Sequence, residues 1–311
     1  MNESIRNLVD RPSSRADITS TGRAERFPIV PREKLDFHLD DDIPRFWMDG
    51  DPFKTRFFDA MSTVFPVGER FFIASVREFR EGISDPELLQ QVRDFTRQEA
   101  QHSMVHLRYN ERLKAQGVEI DGITRRLEES MFVEAPKHLN PTQRLAITSA
   151  LEHFTAMMCT SLFERRELIE HADARIRAVW AWHAIEEVEH KAVAFDVLTR
   201  VAGASYGLRI WKMAQATLFF PLTIAAIMNH MLKVDGFGFF QRCAMWMRGL
   251  GWFFGRRGLV PPMLPHYFAY YRRGFHPWQM EEMKSYGVWQ RAYGETGDPV
   301  VAADALLAAG R

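Results

Sequence analysis

From Phe53 to Phe79 apolar residues recur three and four positions apart, Phe58, Met61, Phe65, Phe72 and Val76 among them, the repeat of a helix with one buried face. Pro66 lies inside that run and predicts a bend. A second periodic stretch opens at Ser84-Asp85-Pro86-Glu87, where an N-cap precedes proline in the first turn. It runs to about Gln116, with Gly117 as its stop. Residues 117–140 carry Gly117, Gly122, Pro136 and Asn140-Pro141 and read as a long connection with room for one short helix. Asn140-Pro141-Thr142 starts a third helix to about Glu170, and a fourth extends from Ala172 to Val201, ending before Gly203. No segment alternates in the manner of a strand, so the predicted class is all-α, with two hairpins joined by a crossover.

The last third changes character. Between Lys212 and Lys233 lie 20 residues without a formal charge, and an apolar, Trp-containing stretch follows from Cys243 to Gly255. Twenty apolar residues suffice to span a bilayer, but Gln215, Pro221, Asn229 and His230 interrupt this run. Three readings stay open: a helix buried against the bundle, a surface-inserting pair with Arg242, Arg248, Arg256 and Arg257 at headgroup level, or a true span. From Val260 on, Pro261-Pro262 and Pro265 predict a loop-rich tail. The expected division is therefore a flexible tail over 1–40, a bundle over 41–203 and a hydrophobic helical extension over 204–311, packed on the bundle or on a membrane surface.

Of 311 residues 46% are hydrophobic and 26% charged, enough to build a sizeable core. Lys plus Arg and Asp plus Glu both total 40, so no net charge drives binding to a phosphate backbone, and nucleic acid is not an expected partner. Cys159 and Cys243 are far apart, which fits neither a disulfide framework nor a thiolate zinc site. With Met1 to Glu25 lacking the apolar run of a secretory signal, the expected location is the cytoplasm, with the inner face of the membrane as an alternative. No heptad seam marks an interface, although bundle surfaces of this kind can pair as a homodimer.

Glu-x-x-His places a carboxylate and an imidazole on one helix face. The chain has two such matches, Glu99 to His102 and Glu187 to His190. With 23 Glu and 11 His, about one match arises by chance, so position must carry the argument. Each match follows, by 30 and 35 residues, another glutamate in an apolar helix, Glu69 and Glu152. One Glu from each of two helices and a Glu-x-x-His from each of the other two is the ligand pattern of ferritin-like di-iron and di-manganese bundles. Four carboxylates repel one another in a low-dielectric core unless cations neutralise them, and two divalent ions do so. Oxygen and imidazole donors suit iron or manganese. At about 100° per residue His183 lies about 20° from His190 and about 40° from Glu187, a seventh candidate donor or a hydrogen-bonding neighbour of the donors. His106 is expected as a polar core or channel residue, Glu186 as a register alternative to Glu187, Glu189 as solvated or paired, and His153 on the surface.

The blocks Pro66-Val-Gly-Glu69-Arg-Phe-Phe, Gln98-Glu99-Ala-Gln-His102, Ala150-Leu-Glu152-His and Trp182-His183-Ala-Ile-Glu186-Glu187-Val-Glu189-His190-Lys resemble the bacterial family of predicted metal-dependent hydrolases, from about Pro31 to Trp278. The His183, Glu187, His190 arrangement is also similar to that of di-iron arylamine N-oxygenases. That resemblance implies metal binding by Glu69, Glu99, His102, Glu152, His183, Glu187 and His190. It further implies two iron ions (or manganese, or one of each), dioxygen as co-substrate, an electron donor of unknown identity and a hydrophobic or aromatic small-molecule substrate. Phe65, Phe72, Phe95, Phe154 and Trp182 are expected to line a dry pocket beside the metals. The alternatives are metal-dependent hydrolysis, in which the metals would activate a water, and a non-enzymatic metal-binding protein.

Overall fold

The computed structural model describes residues 27–39, 42–280 and 286–309. Helix α1 (Pro52–Arg77) begins where the Asp51 carboxylate accepts from the backbone N–H groups of Phe53 and Lys54. Pro66 sits inside it without ending it. Proline cannot donate to the carbonyl four residues earlier, that of Ser62, and Asn110 of the next helix donates to that carbonyl at 3.0 Å instead. Helix α2 (Pro86–Ala115) is capped by Asp85 as its sequence predicts, and Gly117 follows with φ +89.

The crossover is more helical than its glycines and prolines suggest. Helix α3 (Ile120–Glu128) passes through a wide turn at Glu129–Glu134 into the short α4 (Ala135–His138). Helix α5 (Pro141–Glu164) opens with Asn140 and Gln143 exchanging side-chain and backbone hydrogen bonds, and ends six residues before the expected Glu170. Helix α6 (Ala174–His190), capped by Asp173, does not continue to Val201. It breaks after His190 and is followed by the single turn α7 (Val193–Asp196) and a wide turn at Val197–Val201. Helices α1 and α2, and α5 and α6, pack as hairpins, with α1 against α5 and α2 against α6 closing the bundle. Among the described residues the only β pairing is an isolated bridge between Met48 and Ala172.

Helix α8 (Tyr206–Val234) lies across α1 and α5, and α9 (Phe239–Phe254) contacts both α1 and α8. Gly249 permits that approach, since a Cβ there would stand 2.0 Å from the ring of Phe53. The loop-rich tail expected after Val260 is instead largely helical, with α10 (Leu264–Tyr270), α11 (Tyr286–Thr296) and α12 (Pro299–Ala309). Helix α12 packs on α11 and α6 and buries Ala302, Ala303, Ala305 and Leu306. The 1–40 tail also needs correction in part. Residues 1–26 and 40 lie outside the described ones, but Phe37 and Leu39 are buried in the core and Arg32 reaches the acidic face of α6.

Candidate metal centre

The four bundle helices bring all seven predicted residues together. Glu69 comes from α1, Glu99 and His102 from α2, Glu152 from α5, and His183, Glu187 and His190 from α6, each at most 2% exposed. His190 Nε2 stands 3.0 Å from Glu99, 3.4 Å from Glu152 and 3.7 Å from Glu187. His183 Nε2 is 3.1 Å from Glu187, and His102 Nδ1 is 3.9 Å from Glu99. Their donor atoms form overlapping trios within 4.8 Å: Glu69, Glu99 and His102; Glu99, Glu187 and His190; His102, His183 and Glu187. Glu99, His102 and Glu187 each belong to two of these trios, so the trios form one connected cluster, and Glu152 joins it through His190.

Hydrogen bonds behind the cluster decide which imidazole nitrogen faces inward. The Ser62 hydroxyl donates to Asn110 Oδ1 at 2.9 Å, so its oxygen accepts from His106 Nδ1 at 2.9 Å. His106 Nε2 then bears no proton and accepts from His183 Nδ1 at 3.0 Å, which leaves His183 Nε2 to face Glu187, as a bare lone pair when the ring is neutral. Gln98 works the same way: its amide donates to Glu189 at 2.7 Å, so its oxygen accepts from His190 Nδ1 at 2.8 Å. A lone pair on His190 Nε2 therefore meets three carboxylates. Such an approach repels unless a cation or a proton lies between.

Buried polar atoms normally have hydrogen-bond partners. Here Glu69 Oε1, both carboxylate oxygens of Glu99 and of Glu152, both nitrogens of His102, and Nε2 of His183 and His190 have none. A donor set of hard oxygens and imidazoles, buried, mutually close and without hydrogen bonds, fits divalent cations. The electrostatics agree. Burial, then the Glu99 carboxylate, pushes Glu69 and Glu152 well above the usual carboxylate range, with Ser103 opposing the shift at Glu69. Burial would raise Glu187 as well, but His183 and His190 outweigh it and hold Glu187 low. Burial opposes the charge on His190, yet Glu152, Glu187 and Glu99 raise it well above its ordinary value. For His102 burial dominates and lowers it. Without cations, protons must neutralise this cluster.

Glu186, the register alternative, is buried beside the trios but belongs to none of them. It pairs with Arg32 at 3.1 Å, approaches His102 Nε2 at 3.2 Å outside hydrogen-bond geometry, and is raised by burial to about 7 despite Arg32. Glu189 is paired and buried: it accepts from Arg32 at 2.7 Å, from Gln98, from the Val30 backbone and from Tyr286. His106 is the core group expected, and with Glu69 and His183 it forms a further trio. His153 is a correction. It is buried rather than on the surface, because residues 266–275 fold over it; its Nε2 donates to the His266 carbonyl, its ring lies against Tyr270 and Phe275, and burial lowers it to about 3. Arg32, Ser103 and Thr155, which donates to Glu187, carried no signal in the sequence.

A cavity of about 350 Å³ lies between α1, the crossover, α5 and α8. Its inner wall holds Glu69 and Thr155, and most of the remainder is apolar, including Phe65, Phe72, Leu151 and Phe220. Of the predicted lining, Phe65 and Phe72 are present, whereas Phe95 stands against the His190 ring at 5.0 Å and Trp182 against that of His102 at 4.8 Å. Phe154 packs near Phe220 instead.

No curated protein and no solved structure matches the chain. A family model described as predicted metal-dependent hydrolase matches residues 31–281, a span that contains every residue of the buried cluster together with Arg32 and the cavity wall. The chain belongs to the predicted metal-dependent hydrolase family.

Proposed function

We propose that the chain is a dinuclear metal enzyme, with two iron ions as the resident metals, that uses dioxygen to oxidise an apolar or aromatic small molecule. Glu69, Glu99, His102, Glu152, His183, Glu187 and His190 would hold the metals. The observation that carries the reading is the crowding of six of these donors, with Glu152 3.4 Å from His190, beside an apolar cavity. When bound, two ferrous ions would supply two electrons toward the reduction of dioxygen, to be restored after each turnover by a separate electron donor. The protein's own part is to fix the imidazoles through the Ser62–His106–His183 chain and through Gln98, to balance four carboxylates, and to keep bulk water away with Phe65, Phe95 and Trp182. Thr155 holds Glu187 from the cavity side, and Glu69 stands at the wall where a substrate would arrive.

The family's description favours a second reading, hydrolysis, in which the metals would lower the pKa of a bound water. The two separate in one experiment. Protein loaded anaerobically with ferrous ion is exposed to oxygen while its ultraviolet and visible absorption is followed, and a parallel sample is assayed on chromogenic carboxylic and phosphate esters. Two irons per chain with an oxygen-dependent spectral change supports oxidation. Ester cleavage indifferent to oxygen, with no such change, replaces it by hydrolysis.

A further inference from the structure

We infer that the outer face of α8, α9 and α10 docks on an anionic lipid bilayer, dipping into it without crossing it. Eleven of the sixteen large apolar side chains exposed among the described residues fall between Trp211 and Phe268. They form helical stripes: Trp211, Leu218 and Leu222 along α8, and Phe240, Met247 and Phe254 along α9. Isolated apolar side chains are ordinary on a protein surface, but stripes on packed helices mark an interaction face.

Charge selects the occupant. Residues 197–280 contain ten Lys and Arg, of which Arg209 and Lys212 are buried and Arg200 pairs with Asp85, and one acidic residue, Asp235, in a chain where the two classes balance at 40 each. Asp235 is already paired with Arg45 and Arg56. Residues 236–280 hold six arginines and no carboxylate, and Arg248, Arg256 and Arg257 are exposed around the stripe on α9. A second copy of this chain meeting it face to face would set arginines against arginines, whereas a leaflet of anionic headgroups complements them and receives the aromatic residues. Helix α8 is long and apolar enough to cross a bilayer. Its inner flank, Ile224, Ile227, Met228 and Met231, is nevertheless committed to the protein core, which leaves only the outer stripe for lipid.

The cavity adds a consequence. Phe219 is exposed and also lines the cavity whose inner wall holds Glu69, so an apolar molecule can pass from the bilayer toward the cluster without entering water. This delivery step rests on the proposed oxidation; the docking does not.

The test is co-sedimentation of the full chain with vesicles of phosphatidylcholine, alone or with a third phosphatidylglycerol, at low and high salt. It is run on the natural sequence, on the pair Phe240→Glu with Phe254→Glu, and on the pair Arg256→Glu with Arg257→Glu. Binding to anionic vesicles that falls with salt, and that weakens roughly tenfold or more in each double variant at unchanged melting temperature, is expected. No binding to anionic vesicles, or variants that bind like the natural sequence, overturns the proposal. A lipid-independent dimer broken by the same variants also overturns it and assigns the face to a second copy. Bound protein that alkaline carbonate cannot extract overturns it in favour of a span. None of these readouts uses metal or turnover, so failure of the proposed chemistry is distinguishable from failure of the docking.

Discussion

A histidine binds a metal only through a nitrogen without a proton, and in this cluster that choice is made one residue further out. Ser62, Asn110 and His106 set His183, while Gln98 sets His190. Ser62→Ala is expected to weaken metal affinity about 10–100-fold while every proposed donor stays in place, as measured by competition with a chelator. Acidity gives a second expectation. Glu69, Glu152 and His190 are all raised above their ordinary values, so each favours the folded, metal-free state while protonated and withdraws that support as pH rises through its folded pKa. His102 and His106, lowered from 6.5, and Glu187, lowered from 4.5, exert their pull only below those ordinary values. Within the cluster only the raised groups act above pH 6.5, so the metal-free protein should melt at lower temperature as pH increases, with Lys212, lowered from 10.5 by burial, pulling the other way toward the alkaline end. Metal uptake should release protons and tighten with pH. A melting temperature flat from pH 6.5 to 9 in metal-free protein would contradict this assignment. Helical spacing, the placing of Glu69 and Glu152 one helix before each match, and the family resemblance together brought out the seven clustered residues, because helical periodicity fixes which side chains share a face. Spacing could not reveal Arg32, whose hydrogen bonds to α6 cross 154 and 157 positions.

At the scale of elements, caps were legible and breaks were not. Asp85 and Asn140 announce their helices because a short polar side chain beside proline has few other uses, and Asp51, not read as a cap from the sequence, does the same for α1. The end of α6 at His190 has no such marker: Lys191 and Ala192 are good helix formers, and tertiary packing overrides them. The terminal helices escaped notice for a similar reason, since the alanines of α12 give little periodic contrast although they are buried where α12 packs on α11 and α6. The segment 27–39 matters energetically, because Arg32 is the cation that faces both Glu186 and Glu189 in a buried setting. Arg32→Met strands those carboxylates and should cost about 3–5 kcal/mol, read from urea unfolding at neutral pH. Loss of less than about 1 kcal/mol would mean that Gln98 and Tyr286 suffice for Glu189.

For the whole molecule, the all-α class and the crossover bundle followed from periodicity and punctuation, whereas the way the last third wraps the bundle did not, because apolar composition alone cannot separate a core helix from one facing lipid. A metal bound here would be coupled to the fold, since the cluster joins four helices and carries four carboxylates. Free metal at about a thousand times its dissociation constant should add about 4 kcal/mol of stability, and a chelator should remove it, both visible as a shift in melting temperature.

Glu189 accepts from Val30 and Arg32 on one side of the sequence and from Tyr286 on the other, 159, 157 and 97 positions away. The same carboxylate accepts from Gln98, the residue that orients His190. Two remote stretches of chain thus close like a buckle behind one imidazole. During synthesis the buckle cannot fasten until residue 286 has left the ribosome, so the centre is expected to mature late, after the bundle has formed. Chains trimmed to begin after Arg32, or to stop before Tyr286, should still fold as helices and yet release a loaded divalent metal faster than the intact protein.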